Sequence, residues 1–245
     1  MNRELVYEWE HSEPRASFRS AMETKWQALG ALFQSHPWHG VPIGKDAPHV
    51  VTAYIEIVPT DTVKYELDKV TGLLRVDRPQ KYSNFCPSLY GLVPQTLCAD
   101  NVAALSALRT GHPDIVGDAD PLDICVLTER SISHGNILVR AIPIGGMRML
   151  DRDEADDKVV AVLEGDATYG HIREVADCPP VVIERLRHYF LTYKQAPDAL
   201  TPACEITHVY GRAEALDVIQ RSRADYMARY ADLDEMLKAF VTAGT

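Results

Sequence analysis

The chain has no CxxC pair, and its five cysteines, an odd number, show no tight spacing. Reduced thiols fit that pattern better than a disulfide framework or a thiolate zinc site. No apolar run approaches a membrane span, and the opening Met1-Asn2-Arg3-Glu4-Leu5 lacks the apolar core of a signal peptide, which predicts a soluble cytoplasmic protein with no membrane partner. Positive charge is scarce: 25 Lys and Arg stand against 35 Asp and Glu, a formal net charge of -10. That balance argues against a general nucleic-acid or anionic-membrane binder, and an anionic substrate would have to arrive with cations. There is no GxSxG elbow, no P-loop and no HExxH, and Gly145-Gly146 lacks the rest of a dinucleotide fingerprint. The nine histidines are scattered without metal-ligand spacing, and neither an internal repeat nor a low-complexity segment occurs.

Acid is what the chain does have, and it is clustered. Asp118, Asp120 and Asp123 fall within Gly117-Asp118-Ala119-Asp120-Pro121-Leu122-Asp123-Ile124-Cys125-Val126. Asp118 and Asp120 share one side of an extended chain, Pro121 biases Asp120 toward extended backbone, and the turn can return Asp123 to the same place. Carboxylates this close repel one another and raise each other's pKa unless a divalent cation neutralises them. A multi-magnesium site and an ordinary Asx-rich turn are both open readings of this motif alone. A calcium hand is excluded, because Asp123 stands where that loop needs glycine and Ile124 to Leu127 read as a buried strand.

A second acidic loop, Asp151-Arg152-Asp153-Glu154-Ala155-Asp156-Asp157-Lys158, precedes an apolar run from Val159. Alone it reads as a solvated hairpin loop. Two acidic loops at the ends of neighbouring strands could together hold several octahedral magnesium ions. Lys64, Arg78 and Lys158 lie in or beside strand-like segments, and Tyr90, Tyr193 and Lys194 could add donors for phosphate oxygens. Glu56 and Glu66, also strand-borne, could orient that set or join the metal shell.

At 245 residues the chain can bury a full core as one large domain with or without an appendage. Residues 1–35 read as an N-terminal extension, with Met22, Trp26, Leu29 and Phe33 at helical spacing, and 36–245 as the main domain. Strand patterns cover Val50 to Val58, Val63 to Leu67, Leu73 to Val76, Ile124 to Leu127, Ile137 to Ile142 and Val159 to Leu163. A helical insertion is expected from Ala99 to Arg109. A further helix should start near Asp177, Pro179 and Pro180 with Ile183, Leu186, Phe190 and Tyr193 as its apolar stripe, and a last one should span about Arg212 to Ala239. Short strands followed by helices predict an α+β domain with a mostly antiparallel barrel or strongly twisted sheet.

Taken in order, Gly44-Lys45-Asp46, Ile55-Glu56-Ile57, Lys64-Tyr65-Glu66-Leu67-Asp68-Lys69, Val76-Asp77-Arg78, Tyr90-Gly91, the Asp118 to Asp123 motif, Asp151 to Lys158 and Tyr193-Lys194 make the chain resemble the soluble family I inorganic pyrophosphatases. The resemblance runs from about Gly44 to Gly211, interrupted near 99–116. It implies a five-stranded closed OB-like β-barrel with flanking α-helices, and hydrolysis of pyrophosphate to two phosphates by a multi-magnesium mechanism with a metal-bridged water nucleophile. Several Mg2+ ions per site are implied, with Mn2+ or another divalent ion as substitute. Asp118, Asp123 and Asp156 would hold a first metal, Asp123 would touch a second, Asp151 and Asp156 would hold one that enters with substrate, and Glu56 would act through water. Asp120 is the implied general base, Glu66 a supporting group, and Lys64, Arg78, Tyr90, Lys158, Tyr193 and Lys194 the phosphate ligands. The family also implies a homo-oligomer, although the extra N-terminal residues and the insertion leave its size open. Cys86 replaces a phosphate-pocket tyrosine four residues before Tyr90, and Ala119 replaces a frequent glycine, a mild change for a backbone with negative φ.

Three rivals carry their own tests. They are a non-enzymatic barrel binding an oligonucleotide or oligosaccharide, a metal-dependent phosphatase of nucleotides or monoesters, and a degenerate scaffold without turnover.

Overall fold

The computed structural model describes residues 35–81, 84–195 and 204–232. The expected N-terminal helix and the end of the last expected helix lie outside these residues. Ten strands are described: β1 (Val51–Ile57), β2 (Val63–Leu67), β3 (Leu74–Pro79), β4 (Leu89–Leu92), β5 (Val116–Gly117), β6 (Asp123–Leu127), β7 (Ile137–Asp151), β8 (Glu154–Ala155), β9 (Lys158–Leu163) and β10 (Cys204–Gly211). Three α-helices accompany them, α1 (Asp100–Thr110), α2 (Pro180–Thr192) and α3 (Arg212–Arg229).

The pairings of β1 with β4, β4 with β6, β6 with β9, β9 with β7 and β7 with β1 join five strands into a ring. Four of these pairings are antiparallel, and β6 with β9 is parallel. That parallel register sets Asp123 beside Lys158 and Ile124 beside Val159. Side chains alternate across the strands. Ile124, Val126, Val159 and Ala161 join one core cluster with Val102 and Leu105 of α1 and Val218 and Ile219 of α3. Their neighbours Cys125, Leu127, Val160 and Val162 pack in a second cluster with Ile183, Leu186 and Phe190 of α2, the stripe expected from the sequence. Strands β2 and β3 form a separate antiparallel hairpin.

The longest departure from the strand pattern is β7. The expected strand ends at Ile142, but the observed one runs on through Pro143 and Gly145-Gly146 to Asp151, with a register shift between Pro143 and Gly145. The glycines answer a packing need: a Cβ on Gly145 would lie 2.5 Å from the Tyr210 carbonyl oxygen, and one on Gly146 would lie 2.4 Å from the Tyr210 ring. They let β10, a strand where only helices were expected, cross β7 closely. Helix α1 starts without a local side-chain cap. Its cap comes from α3, where the buried Asp225 carboxylate accepts the backbone N–H groups of Ala99, Asn101 and Val102 at 3.0 to 3.2 Å. Among the described residues no helix is long and apolar enough to cross a membrane.

Candidate active site

A polar cavity of about 190 Å³ opens at one end of the ring. Glu56 reaches it from β1, Lys64 and Glu66 from the hairpin, Tyr90 from β4, and Asp123 and Lys158 from the adjacent starts of β6 and β9. Asp118 and Asp120 come from the loop after β5, Asp151 and Asp156 from the turn around β8, and Tyr193 and Lys194 from the end of α2. Every site residue expected from the sequence therefore lines this cavity, with the exception of Arg78, whose guanidinium pairs with the neighbouring Asp77. Asp77 also holds Lys64 at 3.1 Å, so the two phosphate-ligand candidates on the hairpin share one counter-ion.

The first acidic loop is pinned through its backbone. Cys98 N–H donates to the Asp120 carbonyl at 2.8 Å, Ala119 N–H donates back to Cys98 at 3.0 Å, and the Asp118 carboxylate accepts Asp120 N–H at 2.9 Å. Behind it, the fully buried Thr96 hydroxyl accepts Leu122 N–H at 2.9 Å. Gly117 lets the loop lie against the start of α1, since a Cβ there would sit 2.2 Å from the Cys98 carbonyl oxygen. Ala119 stands at φ 59°, the left-handed region that glycine enters more easily, so the negative φ that would make its replacement of glycine mild is not found.

The carboxylates are held apart by lysines. Lys158 donates to both Asp123 and Asp156, Lys69 to Asp120, and Lys194 to Asp151 at 2.5 Å. Tyr90 Oη donates to Asp123 at 2.5 Å, and Glu56 Oε1 accepts Leu67 N–H at 2.6 Å. Burial, then the charge of Asp123, pushes Glu56 up to about 8. Burial with Asp156 and Asp123 pushes Asp118 up to about 8. Burial also raises Asp156, against the pull of Lys158. Burial lowers Lys158, yet Asp123 and Asp156 hold its ammonium well above the ordinary lysine range.

Glu56, Asp118 and Asp156 are raised by burial, a cost that a hard divalent cation would relieve, and with Asp123 and Asp151 they form an oxygen-only donor set that fits such ions in chemistry. Among the described residues no three carboxylate, histidine or cysteine side chains already converge on one point, because the lysines stand between them. Cys86 is fully buried in the α2 cluster, and burial pushes its thiol up to about 12, the behaviour of a packed, unreactive group.

Lys69 and Glu154 line the cavity without having been given roles from the sequence. Both sit inside stretches already singled out. What hid Lys69 was its place in the turn after β2, where strand alternation no longer says which way a side chain points.

A sequence model described as inorganic pyrophosphatase matches residues 53–227. The chain is 53% identical over 196 residues to the inorganic pyrophosphatase of Chlamydia trachomatis serovar L2, a match covering 78% of this chain and 94% of that protein. It is 39% identical over 175 residues to a soluble inorganic pyrophosphatase of Zea mays, covering 69% and 73% of the two chains. Its fold is similar to the crystal structure of the inorganic pyrophosphatase from Thermus thermophilus, with a TM-score of 0.65 at 29% identity over 78% of this chain and 98% of that one. By sequence and fold together, the chain belongs to the inorganic pyrophosphatase family.

Proposed function

We propose that this protein hydrolyses inorganic pyrophosphate to two phosphates in the cytoplasm, with the five-stranded ring acting as a closed OB-like barrel that carries the site at one end. The observation that carries this reading is the meeting, in one cavity of about 190 Å³, of phosphate-matching cations with a carboxylate set suited to hard metal ions. The family membership supports the same substrate, since the relatives are named for it.

Asp118, Asp123, Asp151 and Asp156, with Glu56, would hold divalent cations, magnesium first and manganese as a substitute. Bound there, such ions supply Lewis acidity and offset the charge of the phosphate oxygens. The chain's own groups do the positioning. Lys64, Lys158 and Lys194 are the point charges for the two phosphoryl groups, Tyr90 and Tyr193 add hydroxyl donors, and Arg78 contributes a fork once it leaves Asp77. Asp120, whose side chain is 38% exposed against 22% for Asp123, accepts the proton of the attacking water, and Lys69 orients its carboxylate. Glu66 steadies the hairpin through Arg75, 3.9 Å away. Phosphoryl transfer needs little else from a protein than alignment and charge compensation, which this set supplies.

Phosphate release from pyrophosphate, with magnesium titrated, chelator as control, and ATP and a simple monoester alongside, tests the proposal. Release that depends on magnesium and favours pyrophosphate is expected. Full activity in chelator would remove the metal role, and equal release from the monoester would favour a general phosphatase.

A further inference from the structure

Arg148 is fully buried, is among the largest side chains so enclosed, and has no part in the chemistry above. It projects from β7 between two acids, with Nη1 2.6 Å from Asp157 and Nη2 donating to Glu214 at 2.8 Å. Its guanidinium lies over the Tyr210 ring at 5.1 Å, and Tyr210 Oη donates to Asp157 at 3.2 Å. Glu214 continues outward to Arg109 of α1 at 3.5 Å.

This cluster is badly designed for stability alone. Arg148 Nε and Nη1 and Asp157 Oδ1 are buried with no hydrogen-bond partner among the described residues, Nη1 meeting Asp157 as an ion pair only. A buried ion pair left that incomplete gains little over apolar side chains of the same size, because desolvation of both charges offsets their attraction. Its placement gives it another use. Asp157 is flanked by Asp156 and Lys158, both lining the cavity, and Asp156 N–H donates to the carbonyl of Met149, the residue after Arg148. At the far end Glu214 belongs to α3, the helix whose Asp225 caps α1 beside the first acidic loop.

We propose that Arg148 is a positioning residue: by gripping Asp157 on one side and Glu214 on the other, it sets where Asp156 and Lys158 stand relative to the Asp118 to Asp123 loop, and so tunes divalent-cation affinity. The inference rests on Asp156 being a metal ligand, as proposed above. Groups that hold metal ligands in place act at the scale of about 10- to 100-fold in affinity.

The test replaces the pair together, Arg148→Met with Asp157→Leu, so that neither of these two charges is left alone, while Glu214 keeps Arg109. Melting temperature, magnesium binding by calorimetry without substrate, and the magnesium dependence of phosphate release are read on the same samples. The expected result is near-wild-type melting with about tenfold weaker magnesium binding. Wild-type magnesium affinity in a normally melting double variant would overturn the proposal. Should that variant fail to fold, Arg148→Lys takes its place, since an ammonium keeps the charge but cannot fork to both acids. Weakened magnesium binding in the folded Lys variant supports the positioning role, and unchanged binding overturns it. A wild-type protein that neither binds magnesium nor releases phosphate would instead strike the proposed function itself, so the two failures are distinct.

Discussion

Glu56 accepts the backbone N–H of Leu67 at 2.6 Å, and so a buried carboxylate on the ring fastens the hairpin that brings Lys64, Glu66 and Lys69 to the cavity. The two tasks of this side chain, accepting that hydrogen bond and carrying charge, separate by substitution. Glu56→Gln keeps an acceptor for Leu67 and loses the charge. In chelator at pH 7 it should be at least as stable as the wild type, because burial and Asp123 already push the native carboxyl up to about 8, while its turnover with magnesium falls. Glu56→Ala leaves the buried N–H unpaired and should cost about 1–3 kcal/mol. Urea melts and phosphate release on the two variants check both halves, and equal stability of the two would remove the fastening role.

Asp120 is more open than Asp123, with 38% of its side chain exposed against 22%, and it meets the exposed Lys69 rather than the buried ammonium of Lys158. Asp120→Asn should therefore melt like the wild type and retain most magnesium affinity, yet lose about 10²- to 10⁴-fold in kcat, the scale of a lost general base. Lys69→Met, which frees the carboxylate, should change stability by less than about 1 kcal/mol, as expected for an exposed pair. Wild-type turnover in Asp120→Asn would take the base role away from it.

Much of the site was legible in the sequence because its acids and bases are local. Asp118, Asp120 and Asp123 crowd one short loop, and Lys158 begins a recognisable apolar strand, so the charge pattern and the strand pattern point to the same end of the sheet. What escaped notice depended on contacts distant in sequence. The strand pattern stops at Ile142, short of Gly145 and Gly146, and only the close approach of Tyr210 on the paired strand explains why glycines sit inside β7. Asp157 looked like one more solvated acid, because its partner Arg148 lies across the turn on β7 and faces inward. The positive φ of Ala119 was equally hidden, since it follows from Cys98 gripping the loop by its backbone.

Arg78 is the phosphate-ligand candidate that the cavity does not include, and Asp77 holds it away beside Lys64. If substrate draws it across, a planar fork matters. Arg78→Lys should lower kcat/KM by about tenfold, since a point charge cannot reproduce a bidentate contact. An unchanged kcat/KM would show that Arg78 remains with Asp77 during turnover and has no contact with phosphate.

His39 offers a pH effect remote from the carboxylates. Its ring stacks on Trp38 with centroids 4.4 Å apart, and Nδ1 lies 2.9 Å from Tyr226 Oη. Burial, helped by His36, lowers its pKa to about 4. In the unfolded chain an ordinary histidine binds its proton near pH 6.5. Between those values the unfolded state holds a proton that the folded state refuses, so this residue makes stability fall as pH drops from about 6.5 to about 4. Glu56 and Asp118 act in the opposite sense without metal, because folded carboxyls near 8 keep protons that the unfolded chain releases. The raw melting curve mixes these slopes, and only the difference between wild type and His39→Gln isolates the histidine. That difference should be flat above about pH 7 and should move in favour of His39→Gln as the pH falls toward 4. Parallel melting curves across the range would mean that the folded histidine takes up its proton as readily as the unfolded one.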